Sequence, residues 1–447
     1  MEYSGGDIRR LGERIVQNKG EIGSKDLELL QNYRKSFTEP LTESFNSLTQ
    51  IKNKVDRQGI IAFRLKRIKT IINKVLRKPD MQLNRMGDIA GIRIIVRTEI
   101  QLYKLLDLII NNFEISGKIR DYCKNPKPIG YKGIHIYVKD TRKNKRIEVQ
   151  LRTIENHNWA TLVEITDVLY DTRLKELGYK NNLELGKFHG LISRDIDLTT
   201  EQAEHIYNVL NKYNYITKLS RVFRNNNNEV KKQWINVKPR SRYFLIESSL
   251  NSVPKLEGFT DYFKAEEEYF KRYKEDQEAL IVLTAIHKPS FEQISIAYAN
   301  YILSYHKFMD DIEAILRELA IEALEVNKKS RFRKIFKTYE ELQANAIFQI
   351  FTSAEEIFIN QSAENKLILS SNKRISTKKQ KELRKQIELE LRRKGQSHAV
   401  FIKKILELEG NKTFWNIRNR KFLNKHSKRV KKRLQALTVE FTTSNSA

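Results

Sequence analysis

Two short stretches of this chain set polar side chains against branched apolar ones at every second position. Asp88 opens Asp-Ile-Ala-Gly-Ile-Arg-Ile-Ile-Val-Arg (88–97), which carries Arg93 and Arg97. The second stretch has two parts. His135 and Tyr137 lie in Gly-Tyr-Lys-Gly-Ile-His-Ile-Tyr-Val-Lys (130–139), and Glu148, Gln150 and Arg152 alternate with Ile147, Val149 and Leu151 just beyond it. A two-residue period is that of a β-strand, so one face of each strand is apolar and the other polar. A face lined by Asp88, Arg93, His135, Glu148, Gln150 and Arg152 can hold phosphates and a divalent cation. Magnesium takes hard oxygen ligands and needs only one or two protein carboxylates, for which Asp88 and Glu148 are the candidates. The chemistry implied is phosphoryl transfer.

Further cations precede the first stretch. Arg64, Lys66, Arg67, Lys69, Lys74, Arg77 and Lys78 accompany an apolar stripe of Leu65, Ile68, Ile71, Ile72 and Val75. Lys74 and Arg77 fall on related helical turns and can converge on a polyphosphate. Between the strands, Pro126, Pro128 and Gly130 stiffen a loop that presents Lys127 to phosphate and Tyr131 to a purine base. Gly87 and Gly91 flank Asp88 and leave room for a ligand beside the backbone. The chain has no Gly-Lys-Ser/Thr phosphate loop, no Gly-x-Gly-x-x-Gly fingerprint, no spaced Cys/His metal site and no His-Asp pair. These absences argue against P-loop kinases, Rossmann enzymes and metal phosphohydrolases.

The elements that must hold these residues can be read from periodicity. Helical spacing runs through 8–58, and the pattern predicts a basic helix over 60–77 ended by Pro79. Strands follow at 89–97, 133–140 and 145–152, with an amphipathic helix at 99–112 between the first two. Helices are expected at 154–175, 181–195 and 201–224, with a loop at Asn225–Asn228. A hairpin (243–246 with 252–258), a helix (262–276) and a strand (279–285) form a smaller unit. The expected fold class is α+β: a mixed β-sheet flanked by helices (residues 1–200), a helical connector with a small α+β accessory domain (201–310), and a basic, mainly helical C-terminal region (311–447).

The chain has 447 residues, with 83 Lys and Arg against 55 Asp and Glu, a net charge of +28 and a pI near 9.8. Such a field draws polyanions. Residues 366–447 alone hold 23 Lys and Arg against 6 Glu and no Asp, concentrated in 373–394 and 418–433. A single cysteine, Cys123, rules out an intramolecular disulfide and suits a reducing cytoplasm. No apolar run is long enough to cross a membrane, and the N-terminus has no secretory h-region, so a cytoplasmic protein is expected.

At the residues quoted, the chain resembles the synthetase domain of the RelA/SpoT family, the alarmone synthetases. The resemblance is carried by Arg64-x-Lys66-x-x-x-Thr70-Ile71-x-x-Lys74, by Asp88-Ile-Ala-Gly-Ile-Arg93, by Gly130-Tyr131-x-x-x-His135, and by Glu148-Val-Gln-Leu-Arg-Thr153 before a Trp159-Ala160 helix. It implies a nucleotidyltransferase-like fold and transfer of pyrophosphate from ATP to the 3′-hydroxyl of GDP or GTP, releasing AMP. By the same resemblance Arg64 and Arg93 sandwich the adenine, and Lys66, Lys74 and Arg77 hold the ATP phosphates. Asp88 and Glu148 position Mg2+, Glu148 activates the acceptor hydroxyl, and Gln150 and His135 complete the catalytic group. On the acceptor side Tyr131 stacks on guanine, beside Lys127, His135 and Arg152. The family's hydrolase domain has no counterpart here, which implies synthesis without degradation. Four departures stand out: Thr70 for serine, Ile129 for asparagine, Gly133 for serine, and Leu-Val-Glu164 where many small synthetases have Glu-His. Two alternatives stay open: pyrophosphorylation of the tRNA 3′ end, as in toxic relatives, and an inactive nucleotide- or RNA-binding protein. The basic C-terminal region admits tRNA or the ribosome as a partner, and the sequence is compatible with a homo-oligomer. A stress or phage-defence role would suit either activity.

Overall fold

A computed structural model describes residues 3–140, 144–193, 198–219, 240–249, 252–277, 280–287, 306–343 and 396–405, with scattered positions between 230 and 294 and at 389 and 407–408. Two compact units are distinguished: Met1–Asp310 with Thr352–Ser376, and Asp311–Phe351 with Thr377–Ala447. The Asn225–Asn228 loop lies outside the described residues, as do the basic runs of the tail apart from Leu389. Among the described residues no helix is long and apolar enough to cross a membrane.

The first unit begins with three helices: α1 (Gly5–Gln17), α2 (Ser24–Lys35) and α3 (Thr38–Val55). Next come β1 (Ile60–Leu65), α4 (Ile68–Arg77), β2 (Ala90–Val96) and α5 (Glu99–Asn112). The short β3 (Arg120–Asp121) leads to β4 (Ile134–Asp140) and β5 (Lys145–Thr153), then to α6 (Ile154–Leu169), α7 (Leu174–Leu177), α8 (Leu183–Ile192) and α9 (Thr200–Lys212). Strands β6 (Tyr243–Ser249), β7 (Ser252–Phe259) and β8 (Leu280–Ile286) follow, with a helix at Tyr262–Glu275 between the last two. All eight strands form one sheet, ordered β3-β4-β5-β2-β1-β8-β6-β7. Only the β2–β5 pairing is parallel among the described strands.

One face of this sheet is apolar throughout. Ile61, Phe63 and Leu65 of β1 join Ile92, Ile94 and Val96 of β2, Ile134, Ile136 and Val138 of β4, and Ile147, Val149 and Leu151 of β5. These pack against Leu30, Leu41, Leu48, Leu102, Leu105 and Ile109 from the helices. The opposite face is divided: Ile60, Ala62 and Ile95 bury with Phe244, Ile246 and Val282, while the rest of β2, β4 and β5 there is polar. Helix ends are fixed locally. Thr98 and Gln101 form a reciprocal capping box on α5, and Thr153 caps α6 directly after the Glu148 strand.

The helix expected over 60–77 is two elements. Residues 60–65 are a strand buried on nearly every side chain, and helix begins only at Ile68. Ile60-Ile61-Ala62-Phe63 is a continuous apolar run that fits a buried helix turn or a strand flanked on both sides. Pairing with β2 and β8 decides for the strand. Arg64 is therefore a strand residue. The long helix expected over 154–175 also stops early, at Leu169, where Asp171 takes a left-handed backbone (φ 48°) before α7. The residues read as a smaller unit, 243–286, extend the same sheet through β8 against β1.

In the second unit Phe332, Phe336, Tyr339, Phe401 and Ile405 are buried, and the Tyr339 hydroxyl lies 2.8 Å from Nδ1 of His398.

Candidate active site

Lys66 and Lys74 are arranged by the turn from β1 into α4. The Lys66 amide donates to the Ile89 carbonyl (2.7 Å), which ties the end of β1 to the residue after Asp88. Lys66 Nζ lies 2.9 Å from Oδ2 of Asp88, and Lys74 Nζ, two turns into the following helix, lies 2.7 Å from Oδ1. Burial pushes the Asp88 carboxyl up, but Lys66 and Lys74 outweigh it and hold the group at about 2. Asp88 is therefore ionised at neutral pH and clasped by two ammonium groups.

The region 243–286 supports this turn from behind. Arg34 of α2 is fully buried; its Nε donates to the Lys66 carbonyl (2.8 Å), its Nη1 sits 3.4 Å from Glu266, and its guanidinium lies 4.2 Å from the Tyr269 ring centre. The Tyr269 hydroxyl in turn accepts from the Ile68 amide, the first residue of α4 (3.2 Å).

Strand register sets the second carboxylate. In the parallel β2–β5 pair Gly91 stands opposite Glu148 and Arg93 opposite Gln150; in β4–β5 Tyr137 stands opposite Glu148 and His135 opposite Gln150. In β1–β2 Arg64 faces Gly91 and Ala62 faces Arg93. Directly opposed residues share a face, so Arg64, Arg93, Tyr137, His135, Glu148 and Gln150 project to one side. The Asp88 charge is felt at Glu148, where it opposes ionisation. Burial opposes it too, yet hydrogen bonding to His135 and Gln150 holds Glu148 at about 2.

These bonds form one directed chain. Burial lowers the His135 pKa, so the ring is neutral at pH 7. Its Nδ1–H donates to Glu148 Oε1 (3.0 Å), which leaves Nε2 to accept from the Tyr131 hydroxyl (2.5 Å). The Tyr131 oxygen accepts from Arg152 Nη2 (3.0 Å), and Gln150 Nε2 donates to Glu148 Oε2 (2.9 Å). Lys127 Nζ lies 4.9 Å from the Tyr122 ring centre and 5.1 Å from that of Tyr131. Burial lowers the Lys127 pKa, and the nearby Arg120 and Arg152 lower it further.

The structure thus gathers Lys66, Lys74 and Asp88 in one cluster, and Lys127, Tyr131, His135, Glu148, Gln150 and Arg152 in another. Arg77 turns elsewhere and pairs with Glu176 of α7. An added Cβ at Gly91 would make only ordinary contact, 3.8 Å from the Glu148 carbonyl oxygen, but Gly87 is small for a packing reason: a Cβ there would sit 2.9 Å from the Tyr137 ring. Gly130 (φ 90°) is required twice, since its Cβ would also fall 1.8 Å from Ser193 Oγ.

Beside these clusters Lys175, Glu176 and Tyr122 carry no site signal in the sequence, and Glu164 stands out only as a departure in the Trp159-Ala160 helix. Glu164 pairs with Lys175, and its carboxyl, pushed up by burial, is held at about 2 by Lys175, Arg93 and Arg64. Glu176 holds Arg77, and Tyr122 joins the ring cluster.

Asp88 and Glu148, both ionised and the first felt electrostatically at the second, are the carboxylates that could serve a hard divalent cation that keeps most of its water. Among the described residues no group of three or more His, Cys, Asp or Glu is placed to cage a metal.

Residues 63–174 match the family model described as "Region found in RelA / SpoT proteins". Over 172 residues the chain is 31% identical to a guanosine-3′,5′-bis(diphosphate) 3′-pyrophosphohydrolase of Aquifex aeolicus, covering 36% of this chain and 24% of that protein. Over 112 residues it is 30% identical to the GTP pyrophosphokinase YwaC of Bacillus subtilis, covering 22% of this chain and 53% of that one. The small alarmone synthetase 1 of Bacillus subtilis, crystallised with its product pppGpp, matches with a TM-score of 0.31 at 18% identity, over 43% of this chain and 98% of that one. The chain spans from about a sixth to about a half of the length of the curated relatives it matches. The likeness of this chain to RelA/SpoT proteins thus lies in residues 63–174.

Proposed function

We propose that this chain is a pyrophosphotransferase of the GTP pyrophosphokinase type, moving pyrophosphate from ATP to the 3′-hydroxyl of GDP or GTP. The observation that supports the proposal is a pair of ionised carboxylates in charged surroundings: Asp88, just before β2, paired with Lys66 and Lys74, and Glu148 of β5, bonded to His135 and Gln150, with the Asp88 charge felt at Glu148. In this reading Lys66 and Lys74 exchange Asp88 for the donor phosphates. Arg64 and Arg93, on one face of neighbouring strands, take the adenine. Glu148, ionised and oriented by the neutral His135, accepts the proton of the acceptor hydroxyl. Asp88 and Glu148 would hold Mg2+, which supplies charge neutralisation at the transferring phosphoryl group. The site otherwise works by positioning and by fixed cations.

The test is product analysis. Incubation with ATP and GDP, GTP or tRNA should give AMP in step with a 3′-pyrophosphorylated guanine nucleotide. Modified tRNA ends without an alarmone would assign the acceptor to RNA, and ATP binding without AMP release would leave only a binding protein.

A further inference from the structure

The hydroxyl of Tyr131 has a closed hydrogen-bond account. Arg152 carries only donors, so its Nη2, 3.0 Å away, takes a lone pair of the Tyr131 oxygen. The single hydroxyl proton is left for His135, whose Nε2 lies 2.5 Å from the same oxygen. With Nε2 accepting, a neutral imidazole carries its proton on Nδ1, which lies 3.0 Å from Oε1 of Glu148. That oxygen belongs to an ionised carboxylate and only accepts. A guanidinium at one end and a carboxylate at the other therefore leave one arrangement of protons along four side chains.

The packing around the chain preserves that arrangement. Arg152 and Tyr131 are both buried. Gly133, which stands at one of the departures from the family pattern, has φ 152° and leaves room for the hydroxyl and the guanidinium to meet. A Cβ there would lie 3.3 Å from the Tyr131 hydroxyl and equally far from Arg152 Cγ.

We propose that the Tyr131 hydroxyl, held by Arg152, is a positioning group for the transfer step: it fixes His135 in the Nδ1–H tautomer and so aims Glu148 at the acceptor hydroxyl. The proposal rests on the pyrophosphotransferase reading and adds to it the group that orients its base. The role belongs to the hydroxyl and is separate from any contact of the ring with a base. In the step itself Glu148 receives the acceptor's proton, while Tyr131 and His135 keep theirs.

The experiment measures kcat and KM for AMP release by the full chain in wild type, Tyr131→Phe, Glu148→Gln and the double variant. Tyr131→Phe should lower kcat about 5- to 150-fold, the cost of leaving buried hydrogen-bonding partners unsatisfied. The acceptor KM and the affinity for a non-hydrolysable ATP analogue should stay near wild type, the latter showing that the variant is folded. In the Glu148→Gln background the same substitution should cost almost nothing more, because groups that act as a unit are not additive. A wild-type kcat in Tyr131→Phe overturns the proposal. So does an equal loss in both backgrounds, or a loss confined to the acceptor KM. Nitrogen-15 NMR of labelled histidine reads the tautomer without turnover: wild type should show His135 neutral and protonated on Nδ1, and Tyr131→Phe should lose that single state. An Nε2–H ring in wild type, or the same spectrum in both proteins, overturns the proposal. If wild type releases no AMP with any acceptor, the pyrophosphotransferase reading fails, and the spectrum alone decides what the hydroxyl does.

Discussion

Replacing Arg34 by Met should separate what holds the donor turn from what does chemistry there. Arg34 and Glu266 are each 0% exposed and lie 3.4 Å apart, and the same guanidinium donates to the Lys66 carbonyl and to Gln31 (3.1 Å). Arg34→Met leaves the Glu266 carboxylate buried without its countercharge, a loss of about 3–5 kcal/mol when one partner of a buried pair is removed. That is a large share of the roughly 5–15 kcal/mol that stabilises a typical domain. Replacing Glu266 as well removes the orphaned charge, so Arg34→Met with Glu266→Met should recover most of the loss, because apolar replacement of both partners is often close to neutral. Urea unfolding at neutral pH measures all three variants, and the coupling follows from the double-mutant cycle. The double variant should still bind an ATP analogue more weakly than wild type, because the Lys66 carbonyl has lost its guanidinium donor. A single-variant cost below about 1 kcal/mol, or a double variant no more stable than Arg34→Met, would refute the reasoning.

Two other outcomes follow from the site. Asp88 and Glu148 both sit at about 2, below their ordinary 3.8 and 4.5, so their contribution to stability is complete above about pH 4.5 and is lost as pH falls toward 2. At 1.36 kcal/mol per pH unit the two contribute on the order of 2 kcal/mol (Asp88) and 3 kcal/mol or a little more (Glu148), and acid titration of Asp88→Asn and Glu148→Gln by circular dichroism should show a shallower loss over that window. Gly130→Ala forces a left-handed backbone on alanine and drives its methyl into Ser193; it should cost about 1–3 kcal/mol locally and raise the acceptor KM while leaving the ATP KM near wild type.

The sequence carried the polar face because a period of two is unambiguous when Ile and Val occupy every other place, as in β2 and β5. It also carried the identity of the cations that meet Asp88, although it put Lys66 on a helix. What it could not carry was pairing. Ile60–Phe63 reads equally as helix or strand until β2 and β8 flank it, and nothing local says that β8, more than 180 residues after β1, joins the same sheet. The buried Arg34–Glu266 pair is invisible for the same reason, since its halves are 232 residues apart. Gly87 illustrates a different failure: a glycine beside an acidic residue looks like ligand clearance, but its space is filled by Tyr137. The strap that places Glu176 on Arg77 has no pattern of its own, being a four-residue helix.

The most direct test of the account is a single-turnover comparison of wild type with Glu148→Gln, run beside binding of a non-hydrolysable ATP analogue. Glutamine keeps the size of the side chain and one of its two accepting oxygens but cannot accept the acceptor's proton. The account predicts ATP-analogue affinity within about threefold of wild type and AMP release slowed by about 10²–10⁴-fold. AMP release at the wild-type rate would contradict the placement of Glu148 at the reacting hydroxyl.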